Sequence, residues 1–149
     1  MPSVPVTDAV WLHVDIEHQQ LLVRANDQAD TVLQRFAVAT GQNGVGEEQG
    51  SLCTPRGWHK IRAMIGDGAP LGTVFVGRRP TGECYTQALG EQYPGRDWIL
   101  SRILWLSGLE PGLNRGGVRD TMRRFIYIHG GPDDRPVGRP GRSSGPPWM

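Results

Sequence analysis

Long apolar runs are missing from this chain of 149 residues. Its longest apolar stretches, Ile103 to Leu106 and Phe125 to Ile128, fall far short of the roughly 20 residues that a membrane helix needs, so no helical membrane span is expected. An excess of either charge sign is missing too: the formal net charge is +1, with Lys and Arg scattered along the chain. Such a field is too weak to hold a phosphate backbone, which excludes nucleic acid as a partner. The start, Met1 to Asp8, has neither a basic head nor an apolar centre, so no secretory signal is expected and localisation is not written in these residues. Cysteine is scarce. Cys53 and Cys84 stand alone with no framework spacing, and the expected role of each is a small buried apolar side chain. His13, His18 and His59 have no second ligand at metal spacing, so no metal site is expected.

Glycine and proline are plentiful, with 21 and 12 residues, which favours many turns and short strands over long helices. Val10, Leu12, Val14 and Ile16 alternate with other residues, and Leu21 to Arg24 and Val32 to Val38 follow after polar breaks, which predicts a three-strand meander. Residues 40 to 50 carry four glycines and no apolar period, so they form an exposed loop. Further strands are predicted over Trp58 to Ile65, Thr73 to Arg79, Trp98 to Leu106 and Arg123 to His129, with one short helix at Thr86 to Gln92. About seven strands at short intervals indicate a mainly β domain of the sandwich or barrel kind. From Pro132 the composition turns to Pro, Gly, Arg and Ser, which cannot bury a face of its own.

Several patterns invite a functional reading that their chemistry does not support. Glu47 and Glu48 are adjacent carboxylates in a glycine loop, a solvated arrangement more often than an acid–base pair. Gly41, Gly44 and Gly46 imitate a phosphate loop, but no helical period and no Lys-Ser/Thr pair follows. Of the five tryptophans, Trp98 and Trp105 lie an odd number of residues apart in one predicted strand, so one faces inward and one outward. Trp58 and the outward member are the candidate ligand contacts, the others core.

Three blocks taken in order carry a family resemblance. The first runs from Val38 through Thr40-Gly41 to Thr54-Pro55-Arg56-Gly57 and Trp58; the second is Ile65 to Glu83, containing Gly77-Arg78-Arg79-Pro80-Thr81-Gly82. The third runs from Arg96 to Gly112, through Asn114-Arg115-Gly116, to Tyr127-Ile128-His129-Gly130. Together they resemble the YkuD-type L,D-transpeptidases over roughly Ala9 to Pro140. The resemblance implies a β-sandwich with one short helix and a thiol acyl transferase of the cell envelope. Its partners are peptidoglycan stem peptides and it uses no cofactor. A thiolate attacks a tetrapeptide stem at its third residue and passes the acyl group to an amine on a neighbouring stem, while a histidine handles the proton. Carried onto this chain, His129 is the proton donor and acceptor, and Tyr127 and Gly130 belong to the substrate groove.

The family's second motif, Ser-His-Gly-Cys with a following arginine, should fall near residues 142 to 147, where the sequence reads Arg142-Ser143-Ser144-Gly145-Pro146-Pro147. The nucleophile is absent there. Ser143 and Ser144 are no substitute, because a serine needs a stronger activating base than a thiol does. The expectation is an incomplete catalytic domain over residues 9–140, a truncated or frame-altered copy without its closing elements, with 141–149 a disordered tail. Either it is an L,D-transpeptidase by descent without turnover, or it is a non-catalytic peptidoglycan-binding or scaffold domain.

Overall fold

The structure, a computed structural model, describes residues 9–133, 137 and 138; the expected tail over 141–149 lies outside the described residues. Chain contacts divide them into two compact units, one ending at Thr40 and including Val137 and Gly138, the other running from Gly41 to Asp133.

The first unit is the predicted meander. Strands β1 (Val10–Asp15), β2 (Gln20–Ala25) and β3 (Val32–Ala37) pair antiparallel in chain order. The β1–β2 turn is closed by Gln19, which is 3% exposed. Its amide donates to the Ile16 carbonyl at 2.8 Å and to Thr40 Oγ1 at 2.7 Å, and its Oε1 accepts the Thr40 N–H at 2.9 Å. A buried amide costs free energy unless its bonds are made, and here three are. Trp11, Leu21 and Leu22 are the buried apolar residues of this unit.

The second unit is a five-stranded antiparallel sheet of β4 (His59–Ile65), β5 (Thr73–Val76), β6 (Arg79–Cys84), β7 (Ile99–Gly108) and β8 (Tyr127–Gly130). Ile103, Leu104 and Trp105 of β7 each pair with both β4 and β8, so β7 runs between those two strands. Both faces of the sheet carry apolar clusters. Val74, Trp98 and Leu100 pack on one, joined by Tyr85 and Leu89; Phe75, Ile99 and Ile103 pack on the other, joined by Ile65, Trp105 and Tyr127. Burying a side chain such as Ile103, which is 0% exposed, contributes about 1.5–3 kcal/mol. The short helix α1 (Gln87–Gln92) is capped by Thr86, whose hydroxyl accepts the Leu89 N–H at 3.1 Å.

The mainly β class with one short helix is thus what the chain adopts, with two antiparallel sheets. Two predicted boundaries are corrected. The strand drawn through Arg79 stops at Val76, because Gly77 (φ 56) and Arg78 (φ 67) form a two-residue turn and the chain returns as β6. Left-handed backbone at both central residues is what a type I′ hairpin requires, and a non-glycine in the second place hid it. The last strand begins at Tyr127 rather than Arg123, because residues 121–125 turn, with Phe125 at φ 57. Tryptophan parity holds in direction but not in exposure. Trp98 and Trp105 join clusters on opposite faces, and since both faces are covered, Trp98 is core and Trp105 half-buried.

The thiols and carboxylates also depart from expectation. Cys84 is exposed and Cys53 half-buried, both as free thiols. Cys53 lies in a loop whose carbonyls face its sulfur, and Cys84 ends an outer strand opposite Thr73. Glu47 is 7% exposed rather than solvated, because Arg56 folds over it with Nε and Nη2 at 3.1 and 2.9 Å. This pair holds the Glu47 carboxyl below the usual carboxylate range.

Candidate active-site strand

Strand β8 presents Tyr127 and His129, two residues apart and therefore on one face. They stand opposite Trp105 and Ile103 of β7, on the side of the sheet that carries the Phe75–Ile99–Ile103 cluster. His129 Nδ1 lies 2.7 Å from the Gly130 carbonyl oxygen. A carbonyl only accepts, so Nδ1 carries the proton, and in the neutral ring Nε2 holds the lone pair.

Gly130 is a glycine for a local reason. A Cβ there would stand 2.6 Å from the Leu100 carbonyl oxygen and 3.5 Å from Ser101 Cβ. That crowding follows from an irregularity in β7: the β7–β8 register shifts between Leu100 and Ile103, and Ser101 adopts φ 72. Ser101 Oγ in turn accepts the Gly72 N–H at 2.9 Å.

Tyr127 anchors an aromatic group whose cations, Arg78 and Arg62, sequence reasoning missed. Its ring meets Trp105 edge-on, with centroids 6.0 Å apart and planes at 87°. Its hydroxyl accepts from Arg78 Nη1 at 3.0 Å. The Arg78 guanidinium lies 4.4 Å from the Phe125 ring centre and 5.2 Å from that of Trp105. Arg62, in the β4 irregularity, adds a second cation 5.7 Å from Trp105. Burial pushes the Tyr127 phenol above its ordinary range, against the opposing pull of Arg78. Of this group the sequence pointed to Tyr127, through the His-Gly motif, and to one of Trp98 and Trp105 as an outward contact; Arg78 stood only inside the Gly-Arg-Arg-Pro-Thr-Gly block and was not singled out.

A second polar network lies under the chain entering β4. Asn114, 0% exposed, donates to the Arg56 and Trp58 carbonyls at 2.9 and 3.1 Å and accepts the Glu110 N–H at 3.0 Å. His59 pairs its Nδ1 with the Gly57 carbonyl at 3.0 Å and its Nε2 with the Thr121 hydroxyl at 2.9 Å. Burial holds the His59 imidazole below its ordinary value, so it is a satisfied structural histidine. Among the described residues neither Cys53 nor Cys84 is hydrogen-bonded to His129; the Cys53 sulfur faces the Asn43 and Ser51 carbonyls. No group of three or more metal-binding side chains and no helix long and apolar enough to cross a membrane occurs among the described residues.

The family model for YkuD, the L,D-transpeptidase catalytic domain, matches residues 9–145. The chain belongs to that family. No curated protein and no solved structure matches it. Within the YkuD match lie both the Tyr127–Gly130 strand and the stretch from Arg142 to Gly145, where the sequence has no cysteine.

Proposed function

We propose that this YkuD domain binds peptidoglycan stem peptides along β8 and, in the 149 residues given, performs no acyl transfer. One observation carries the reading. His129 stands with Tyr127 on one face of β8, while the Cys53 sulfur faces the Asn43 and Ser51 carbonyls and Cys84 ends strand β6, and the stretch Arg142 to Pro147 carries no cysteine. In this assignment His129 is the proton donor and acceptor by family match, and Tyr127 and Gly130 line the groove. Acyl transfer of this type needs a thiolate within hydrogen-bond reach of its base. The cell envelope is the compartment in which such a substrate is met.

Intact-mass measurement after incubation with a carbapenem, or with a tetrapeptide donor, tests the missing chemistry. The expected outcome is an unmodified chain; a stoichiometric covalent adduct would refute the reading, and mapping it to Cys53 or Cys84 would name the nucleophile. Binding without turnover is favoured by the intact Tyr127–Trp105–Arg78 group beside the base strand. Co-sedimentation with purified sacculi tests it: the wild type pellets, and His129→Ala and Tyr127→Phe weaken pelleting. Equal recovery of all three in the supernatant would exclude a groove binder.

A further inference from the structure

We infer that the His59–Thr121 contact is a proton-sensitive clasp, which holds the turn at residues 121–125 ahead of β8 at neutral pH and releases it in acid. The clasp belongs to the fold itself and does not depend on the stem-peptide reading.

Both ring nitrogens of His59 are committed. Nδ1 lies 3.0 Å from the Gly57 carbonyl oxygen and Nε2 2.9 Å from Thr121 Oγ1. A carbonyl only accepts, so Nδ1 carries the proton, and the neutral ring offers its Nε2 lone pair to the Thr121 hydroxyl. Thr121 is 0% exposed, and among the described residues its hydroxyl has no other partner. A second proton on the ring turns Nε2 into a donor, so that two donors face each other. A hydroxyl that rotates to accept leaves its own hydrogen unpaired in the interior, which is costly.

The surroundings keep the ring neutral without making the proton unreachable. Burial is the largest influence and holds the imidazole below its ordinary value, while the Gly57 carbonyl, Glu110 and Glu47 pull the other way. Glu110, after β7, accepts the Trp58 N–H at 2.6 Å, and Glu47 is taken up by Arg56. Asp120, beside Thr121, accepts the Gly116 and Arg123 N–H groups. On β4 itself the neighbouring Lys60 is exposed and points to the opposite face. No charged group is therefore bonded to the ring, and the hydroxyl is what a proton there disturbs.

Thr121 opens the turn that leads into β8. Its N–H donates to the Asn114 carbonyl at 3.0 Å, and its own carbonyl accepts the Ile126 N–H at 3.5 Å, one residue before β8 begins. Three residues on, Arg124 donates to the Gly46 and Cys53 carbonyls at 3.3 and 2.8 Å and to Ser51 Oγ at 3.4 Å. The loop it holds has little else to keep it: of residues 44–54 only Glu47 is buried, and Val45 and Leu52 are exposed. Segments tied by polar bonds without buried apolar contacts open more readily than a packed sheet. Release of Thr121 thus passes to Arg124, to the loop and to the start of β8.

The test is hydrogen exchange of the full chain, read amide by amide by NMR between pH 7.5 and 5.5 and corrected for the chemical rate at each pH. A ring that stays neutral in the closed form and titrates at its ordinary 6.5 in the open one favours opening about tenfold per pH unit below that value. Protection at the Arg124 and Ile126 amides should therefore fall by about tenfold at pH 5.5, while amides inside β7 keep theirs. His59→Gln, whose amide oxygen takes the place of Nε2 and cannot be protonated in this range, should hold protection level. Thr121→Val, which removes the hydroxyl and keeps the ring, should lose most of the response. Level protection in the wild type overturns the inference, as does a fall shared by β7, which would mark unfolding of the whole sheet. A response that survives His59→Gln assigns the proton elsewhere, and one that survives in full in Thr121→Val assigns it to burial of the ring alone; either result overturns the clasp.

Discussion

Replacing Asn114 by leucine should cost this domain much of its stability, and the hydrogen bonds say how much. Asn114 has no exposed surface and its side chain serves three backbone groups: the Arg56 and Trp58 carbonyls and the Glu110 N–H. The Trp58 carbonyl also accepts the Leu109 N–H at 3.0 Å, so it stays paired after substitution. The Arg56 carbonyl and the Glu110 N–H lose the partner that the side chain supplied. Each buried group left unpaired costs about 1–3 kcal/mol, which gives roughly 2–6 kcal/mol for Asn114→Leu before any gain from the added apolar surface. Against a typical stability of about 5–15 kcal/mol, that is a large fraction. Urea unfolding of the two proteins measures it, and hydrogen exchange at the Glu110 amide locates it. A loss below about 1 kcal/mol, with Glu110 still protected, would show that the loop is held by its other contacts.

Other substitutions probe strand β8 and the buried charges. Gly130→Ala should cost about 1–3 kcal/mol by thermal or chemical unfolding, because the new methyl meets the Leu100 carbonyl at 2.6 Å and the neighbour is backbone rather than a yielding side chain. Glu47, whose folded carboxyl is held low by Arg56, contributes stability that is present above its unfolded value of 4.5 and is lost as pH falls through its lower folded value. Glu47→Gln should flatten that part of the pH profile. His59, held low by burial, works with the same sign: stability is full above 6.5 and declines as pH falls toward its folded value, because the unfolded chain takes up the proton first. His59→Gln should remove this decline, and a profile unchanged between pH 7 and 5 would refute the buried assignment.

Much of the architecture was legible because it rests on local rules. Alternation in Val10 to Ile16 and the polar breaks after it suffice for the meander, and Thr86 before a short helical stretch suffices for α1. Strand β8 was legible from the sequence before His129-Gly130, although its start was misplaced by the turn at residues 121–125. The β5–β6 hairpin was not legible, because arginine occupies a left-handed position where sequence reasoning looks for asparagine or glycine. The burial of Glu47 escaped as well, since adjacent acids in a glycine loop give no sign that Arg56, nine residues on, closes over one of them.

Sequence alone determined the chemistry that the chain possesses: an imidazole after a β-strand, two cysteines outside the family's nucleophile position, and no thiol from Arg142 to Pro147. Tertiary structure decided which side chains stand against the strand that carries that imidazole. Arg78 and Tyr127 are 49 residues apart in the chain and 3.0 Å apart in the fold, because β5, β7 and β8 share one sheet and a tight turn returns arginine to its face. Local pattern fixes which backbone conformations are favourable, but only the pairing of distant strands determines which side chains meet across them.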